Sequence, residues 1–305
     1  MPAPTSPQTM RAADWMTLGG LSVIWGGSFL FIGIAVKELP ALTLVGSRVL
    51  IAALLLLAAA RLMRAAIPWG RWRDFALMAL FGNALPFTLI SWGQHHIPSG
   101  LASILNATTP LMTVLVLRLA GPRDPIGPAR LGGLILGFLG VCVLIAPKLS
   151  GGLSGSVAGG IAVLLAALCY GLQGLWSRRF GSVEPVATAA GTLSFATLEI
   201  VPLALLLDRP WSLAPGPASV GAVLALASLC TAFAYLLFYR IIRQAGPTNA
   251  SLVTFLVPPS AILMGTLILH ERLDWAAFAG MALIFAGLAV IDGRLLRRIR
   301  PIQVA

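Results

Sequence analysis

The chain has 305 residues, of which 58% are hydrophobic and only 10% charged, and its formal net charge is +11. A soluble globular chain carries about 25% charged residues, so this composition cannot cover a water-facing surface. It excludes a soluble enzyme, a disordered chain and a nucleic-acid-binding module, and it leaves a polytopic membrane protein.

The first residues, MPAPTSPQTMRAAD, are rich in Pro, Ser and Thr. The apolar run after them is too long for the core of a signal peptide, so it is read as a retained first span. From there, polar and Pro/Gly clusters divide the sequence into ten apolar runs, at 15–36, 41–60, 74–92, 98–119, 129–147, 156–177, 185–207, 217–239, 247–269 and 275–293. A spanning helix takes about 20 residues. A barrel strand takes about 10, in alternation, and these runs do not alternate. All ten are therefore predicted helices. Cys142, Cys169 and Cys230 are isolated within apolar runs, with neither a disulfide framework nor a zinc spacing.

Ten spans place both termini on one side. That side collects Arg11; Arg61, Arg64, Arg71 and Arg73; Arg118, Arg123 and Arg130; Arg178 and Arg179; Arg240 and Arg243; and Arg294, Arg297, Arg298 and Arg300. The other side holds Lys37, Lys148, Arg209 and Arg272, a split of 16 to 4, with Arg48 inside a helix. Cytoplasmic loops carry the excess of Lys and Arg, so both termini are expected in the cytoplasm. The net charge is then a topology signal rather than a nucleic-acid footprint. Trp15, Trp72, Trp92, Trp176, Trp211 and Trp275 lie near span ends, where interfacial aromatics belong.

The halves repeat. A shift of 148 residues pairs Ala102-Ser103 with Ala250-Ser251 and Pro110 with Pro258. A shift of 147 pairs Gly133 with Gly280, Phe138 with Phe285, Gly140 with Gly287 and Val143 with Val290, and a shift of 145 pairs Pro40 with Pro185 and Gly46 with Gly191. Each half would hold five helices, so the second enters the membrane from the opposite side. The expected fold is all-α and integral to the membrane: ten transmembrane helices as two five-helix inverted-topology repeats. The repeats are residues 1–149 and 157–305, joined by a Gly/Ser linker at 150–156. Such architectures belong to secondary transporters that bind solute near the midplane.

Several motifs resemble one family. Trp25-Gly26-Gly27-Ser28-Phe29 is similar to its first-helix signature, and Arg48 before an Ala/Leu run is similar to its second. Pro110 and Pro258 resemble its paired prolines. His270-Glu271-Arg272-Leu273, followed by Gly280 and Gly287, resembles its G-E-R-hydrophobic turn and glycine-spaced last helix. His270 stands where the family usually has glycine, and the matching turn of the first half, Gly121-Pro122-Arg123-Asp124, lacks the glutamate. The family is EamA, in the drug/metabolite transporter superfamily, whose members export amino acids, other metabolites and toxic compounds. The resemblance implies a central cavity lined by helices 1, 3, 4, 6, 8 and 9, with helices 5 and 10 at the periphery.

Candidate lining residues follow from polar and aromatic faces in those helices. Ser103, Asn106 and Pro110 share a face at i, i+3 and i+7, as do Ser251, Thr254 and Pro258. Each stripe reads either as glue between helices or as cavity lining, and its recurrence in both halves favours lining. The prolines Pro110 and Pro258 are expected helix bends. Asn83, Phe87 and Ser91 form a second face, matched by Thr231, Tyr235 and Tyr239. Trp25 in span 1, with Tyr170 and Gln173 in span 6, completes the set. Arg48 and Glu199 are ionisable groups deep within spans, and such groups are costly and functional by default. Each is either a coupling charge or a structural one. The histidines His95, His96 and His270 fall in turns.

No P-loop, HExxH or Ser/His/Asp set is present, so no cofactor, no metal and no enzymatic activity are expected. The expected activity is export of small neutral or zwitterionic metabolites, amino acids foremost, across the inner membrane by alternating access. The alternatives are a translocator of lipids or lipid-linked sugars and an intramembrane lipid-modifying enzyme. Expected partners are a small solute and the lipid bilayer, without nucleic acid, in a monomer or weak homodimer. The Gly133-xxx-Gly137 step is read as packing within one chain.

Overall fold

The computed structural model describes residues 11–120, 128–149, 155–181, 183–245 and 252–292. The chain start, the 121–127 turn, most of the linker (150–154) and Ser251 lie outside the described residues. Among the described residues there is no strand. The helices in chain order are α1 (Ala12–Ala35), α2 (Ala41–Leu62), α3 (Trp69–Gln94), α4 (Ser99–Asn106, resuming as Thr109–Ala120) and α5 (Pro128–Leu149). They continue with α6 (Gly155–Ser177), α7 (Pro185–Leu207), α8 (Pro217–Ala227, continuing to Ala245), α9 (Val253–Ile268) and α10 (Trp275–Asp292). Seven of these, α1 to α4 and α6 to α8, contain a stretch long and apolar enough to cross a membrane. The apolar parts of α5, α9 and α10 are shorter.

Prolines set several starts. Pro185 and Pro217 occupy the first turn of α7 and α8, where a missing N–H costs nothing and φ is already helical. Pro40 and Pro98 sit one residue earlier, as the N-caps of α2 and α4. Three helices end on a non-glycine residue in the left-handed region: Arg64 after α2, Arg209 after α7 and His270 after α9, with φ of 54°, 50° and 56°. The Ala65 amide donates to Ala60 O, the six-to-one bond of a Schellman cap, and the Glu271 amide reaches one residue further, to Gly265 O. His270 thus stands where a Cβ is disfavoured, which explains the glycine preference of that turn. Arg64 and Arg209 are separated by the same 145 residues that relate Pro40 to Pro185.

The helices pack in matched pairs. α1 lies on α8 and α9, as α6 lies on α3 and α4; α2 lies on α7, and α5 on α10. Glycines report the directions. A methyl on Gly133 would stand 2.6 Å from Gly287 O, and one on Gly140 would stand 2.7 Å from Gly280 O, so α5 and α10 run antiparallel with their backbones in contact. Gly137 faces Leu111 of α4, so the Gly133-xxx-Gly137 step is used inside the chain. Thr43 meets Asp208 and Gly46 meets Ala204 and Ile200, which makes α2 antiparallel to α7. By contrast Gly26 faces Ala261 and Gly33 faces Leu269, so α1 and α9 are parallel.

Burial is arranged for lipid. Leu44, Leu56, Leu101, Ile104, Leu105, Leu193 and Leu226 are fully enclosed between helices, while Leu54, Leu62, Leu198, Leu206, Leu263 and Leu267 are exposed on the outer faces. An outer surface this rich in leucine marks a membrane-facing belt. The α5–α10 seam generates a stability prediction. Gly140→Val should cost about 1–3 kcal/mol through overpacking and lower the melting temperature of detergent-solubilised protein. Gly132→Ala, whose added carbon meets nothing within 4 Å, should leave the melting temperature unchanged.

Candidate functional site

Two π-turns shape the interior. Leu80–Ala84 in α3 and Ser228–Phe233 in α8 are wound with i→i−5 bonds, Leu85 N–H to Leu80 O and Ala234 N–H to Leu229 O. They are related by the 148-residue shift. π-turns are rare and occur mostly at functional positions. In α3, Pro86 has no amide to offer the Gly82 carbonyl. In α8 the matching residue is Ala234, and there the Thr231 hydroxyl donates to Leu226 O at 2.8 Å. Each turn carries one buried polar residue inward: Asn83 and Thr231, both 1% exposed.

Arg48 of α2 joins them. Its Nε donates to Thr231 Oγ1 at 2.9 Å, and its guanidinium lies 3.6 Å from the centroid of the Phe87 ring. Because the Thr231 proton is committed to Leu226 O, the hydroxyl can only accept from Nε. Asn83 Nδ2 donates to the Tyr235 hydroxyl at 3.1 Å. Tyr170, Cys230 and Tyr235 all lie within electrostatic range of the Arg48 charge. Gln173 lies directly against Gly82, where any Cβ would meet its amide nitrogen at 2.5 Å. The structure therefore brings Phe87, Tyr170, Thr231 and Tyr235 around Arg48, with Asn83 bonded to Tyr235 and Gln173 set against the α3 π-turn at Gly82. Trp25 packs on Phe238, one turn beyond Tyr235, with ring centroids 5.1 Å apart.

The proline stripes behave differently. Pro110 cannot bond the Asn106 carbonyl, α4 breaks at Ala107-Thr108, and the Thr109 hydroxyl donates to that carbonyl at 2.7 Å. Asn106 Oδ1 is buried without a partner. In α9, Pro258 lies within the helix and likewise removes the amide bond to half-buried Thr254. Ser103, by contrast, is 1% exposed and donates to Gly100 O at 2.7 Å. Its hydroxyl is used by its own helix rather than by the cluster. Glu199 lies at the border between the packed and the exposed faces of α7, with Oε2 unpartnered. The ion pairs of the described residues are Arg11–Asp14, Arg71–Asp74 and Arg179–Asp74; none joins Glu199 to Arg48.

The EamA-like transporter family profile matches residues 15–146 and again 157–292. The chain belongs to that family. Its EamA domain occurs twice, once in each half, with the break at the linker. An uncharacterized transporter of Archaeoglobus fulgidus is 27% identical over 282 residues, 91% of this chain and 96% of that protein. The inner membrane transporter YedA of Escherichia coli K12, also described as uncharacterized, is 28% identical over 292 residues, 93% of this chain and 92% of its own. A crystal structure at 23% identity superposes with a TM-score of 0.65, covering 95% of this chain and all of that one, and so shares the fold. The protein is thus a multi-pass membrane protein.

The EamA turn at His270–Leu273 acts as a helix cap. Glu271 Oε1 accepts from the Ser99 amide at 2.7 Å, while Oε2 accepts from the Ser99 hydroxyl at 2.9 Å and the Gly100 amide at 3.1 Å. Gly265 leaves the room: a Cβ there would stand 2.6 Å from Glu271 Oε2. The sequence motif marks this glutamate but not its task. The signal that could have found it is a carboxylate facing a helix that opens Pro-Ser-Gly.

At the centre of this EamA fold, the Thr231 hydroxyl serves two partners. Thr231→Val leaves both the Arg48 Nε and the Leu226 carbonyl unmatched, a loss of about 1–3 kcal/mol for a buried polar group. The melting temperature of solubilised protein should fall for Thr231→Val and stay near the parent value for Thr231→Ser, which keeps the hydroxyl.

Proposed function

We propose that the protein is a secondary transporter that exports small neutral or zwitterionic metabolites, amino acids foremost, across the inner membrane by alternating access. The observation that carries this reading is the interior cluster, built by repeat-equivalent π-turns and contributed by α2, α3, α6 and α8 from both halves. Its polar groups other than Arg48 are neutral amides and hydroxyls: Asn83, Gln173, Thr231, Tyr235 and Tyr170. Neutral hydrogen-bonding groups can satisfy both ends of a zwitterion, and the rings of Trp25, Phe87 and Tyr235 can hold an apolar side chain. A lipophilic cation would want a carboxylate, and Glu199 lies on α7, away from these groups. A dianion would want several basic groups, and the cluster has one.

The frame of the proposal is ten spans in two inverted five-helix repeats, with both termini cytoplasmic. The antiparallel packing of α5 on α10 and α2 on α7 supports it, since repeat-equivalent helices of an inverted pair must run in opposite directions. The loosened backbone at Pro110, Pro258 and the two π-turns supports alternation, because helices bend where their hydrogen-bond ladder is interrupted. Glu199 is read as a coupling or structural charge.

The test of function is transport of labelled solutes by purified protein in sealed liposomes. Leucine-sized amino acids should exchange, and Asn106→Ala and Tyr235→Ala should each cut the flux severalfold at equal reconstitution. Vigorous movement of ethidium-like cations or sugar phosphates, with amino acids neither moving nor competing, would sink the reading. The topology is checked by cysteine labelling in intact cells. Lys37→Cys should react with an impermeant maleimide from outside, and Arg73→Cys only after permeabilisation; the reverse pattern would overturn the orientation.

A further inference from the structure

We infer that Arg48 is the anchor for the substrate's carboxylate, so that the transported solute must carry one. This rests on the transport reading above and narrows it. Arg48 is 6% exposed, and a buried cation demands a counter-charge or dense hydrogen bonding. Among the described residues neither is supplied in full. The three ion pairs of the described residues all lie elsewhere. The single hydrogen bond to the guanidinium engages Nε, through Thr231. The Phe87 ring covers one flat face at 3.6 Å. Among the described residues no acceptor is bonded to Nη1 or Nη2.

These contacts leave one part of the group open, and they fix its orientation. A guanidinium stacked on a ring and pinned at Nε presents its two Nη groups edge-on, as a rigid fork. That fork matches the two oxygens of a carboxylate bidentately. The pinning is indirect but firm, because the Thr231 proton is held by Leu226 O and cannot turn towards Nε. Tyr170 and Tyr235 stand around the same charge, with Asn83 bonded to Tyr235, and no carboxylate of the described residues is paired with Arg48. One guanidinium suits a monoanionic carboxylate and falls short of a phosphate dianion.

The experiment uses the full-length protein reconstituted in liposomes and compares leucine with leucinamide as competitors of labelled leucine exchange. Loss of a charge-assisted bond should weaken the amide at least about tenfold in the parent protein. Arg48→Gln should bring acid and amide to within about threefold of each other, and Arg48→Lys, which keeps the charge and loses the fork, should fall between. Should Arg48→Gln fail to fold, as judged by gel filtration, the parent comparison and Arg48→Lys still decide. Equal competition by leucine and leucinamide in the parent overturns the inference, as does a preference that survives in Arg48→Gln or in Arg48→Lys undiminished. In each of these cases leucine still moves and the transport reading stands; failure of leucine to move at all removes both.

Discussion

The first amide groups of every helix lack an intrahelical acceptor. This chain meets that constraint with carboxylates borrowed from other helices. Glu38, after α1, accepts from the Gly216 amide that opens α8. Asp208, after α7, takes the amide and hydroxyl of Thr43 at the start of α2. Glu271, after α9, takes Ser99 and Gly100 at the start of α4. A negative charge at a helix N-terminus is also favoured by the helix dipole. At Glu38 the bonds from Ser219 and the Gly216 amide hold the carboxyl below the usual carboxylate range, so this cap loosens only as pH falls through that lowered value. Every one of these caps ties one half of the chain to the other, at the face that carries Lys37, Arg209 and Arg272. The opposite face is fastened differently, by Asp74 held between Arg71 and Arg179, with Arg71 over the Phe180 ring.

With the helix ends secured, the interior can afford interruptions. The π-turns and prolines each release a backbone carbonyl, and in two cases a hydroxyl takes it: Thr231 for Leu226 and Thr109 for Asn106. The same interruptions turn Asn83 and Thr231 inward. The polar cluster is thus a by-product of backbone geometry as much as of side-chain choice. Two equivalent turns give it contributions from both halves.

The spans, the repeat and the faces of α3 and α8 were legible because they rest on length and periodicity. Asn83, Phe87, Thr231 and Tyr235 stand out in the sequence by their i, i+4 spacing, and both helices carry the same extra-wide turn at the same place. Repeat shifts of 145, 147 and 148 residues differ only because loops differ in length. Ser103 donates to its own helix, which spacing does not reveal: a hydroxyl can bond its own helix or a neighbour. The partner of Arg48 was equally hidden. Glu199 is the other ionisable group deep within a span, yet one lies within the cluster and the other at the edge of α7's packed face. The capping role of Glu271 was illegible because the Ser99 amide it satisfies is 172 residues away.

The contrast between seam and centre bears on how such a molecule can move. Along α5 and α10 the glycines let carbonyl oxygens approach within van der Waals reach of the facing backbone. Sliding these helices would drive other residues' Cβ atoms into that space, so the seam has one good register. The centre is held by exchangeable contacts instead: a ring face, one bond to Nε, one amide to a phenol. The Asn83–Tyr235 contact can be exchanged at little net cost, because a polar group moving between hydrogen-bond partners loses only the difference between them. A rigid edge and a replaceable centre concentrate any rearrangement at the π-turns and proline breaks. The π-turns of α3 and α8 are thereby the interruptions that set the geometry around Arg48.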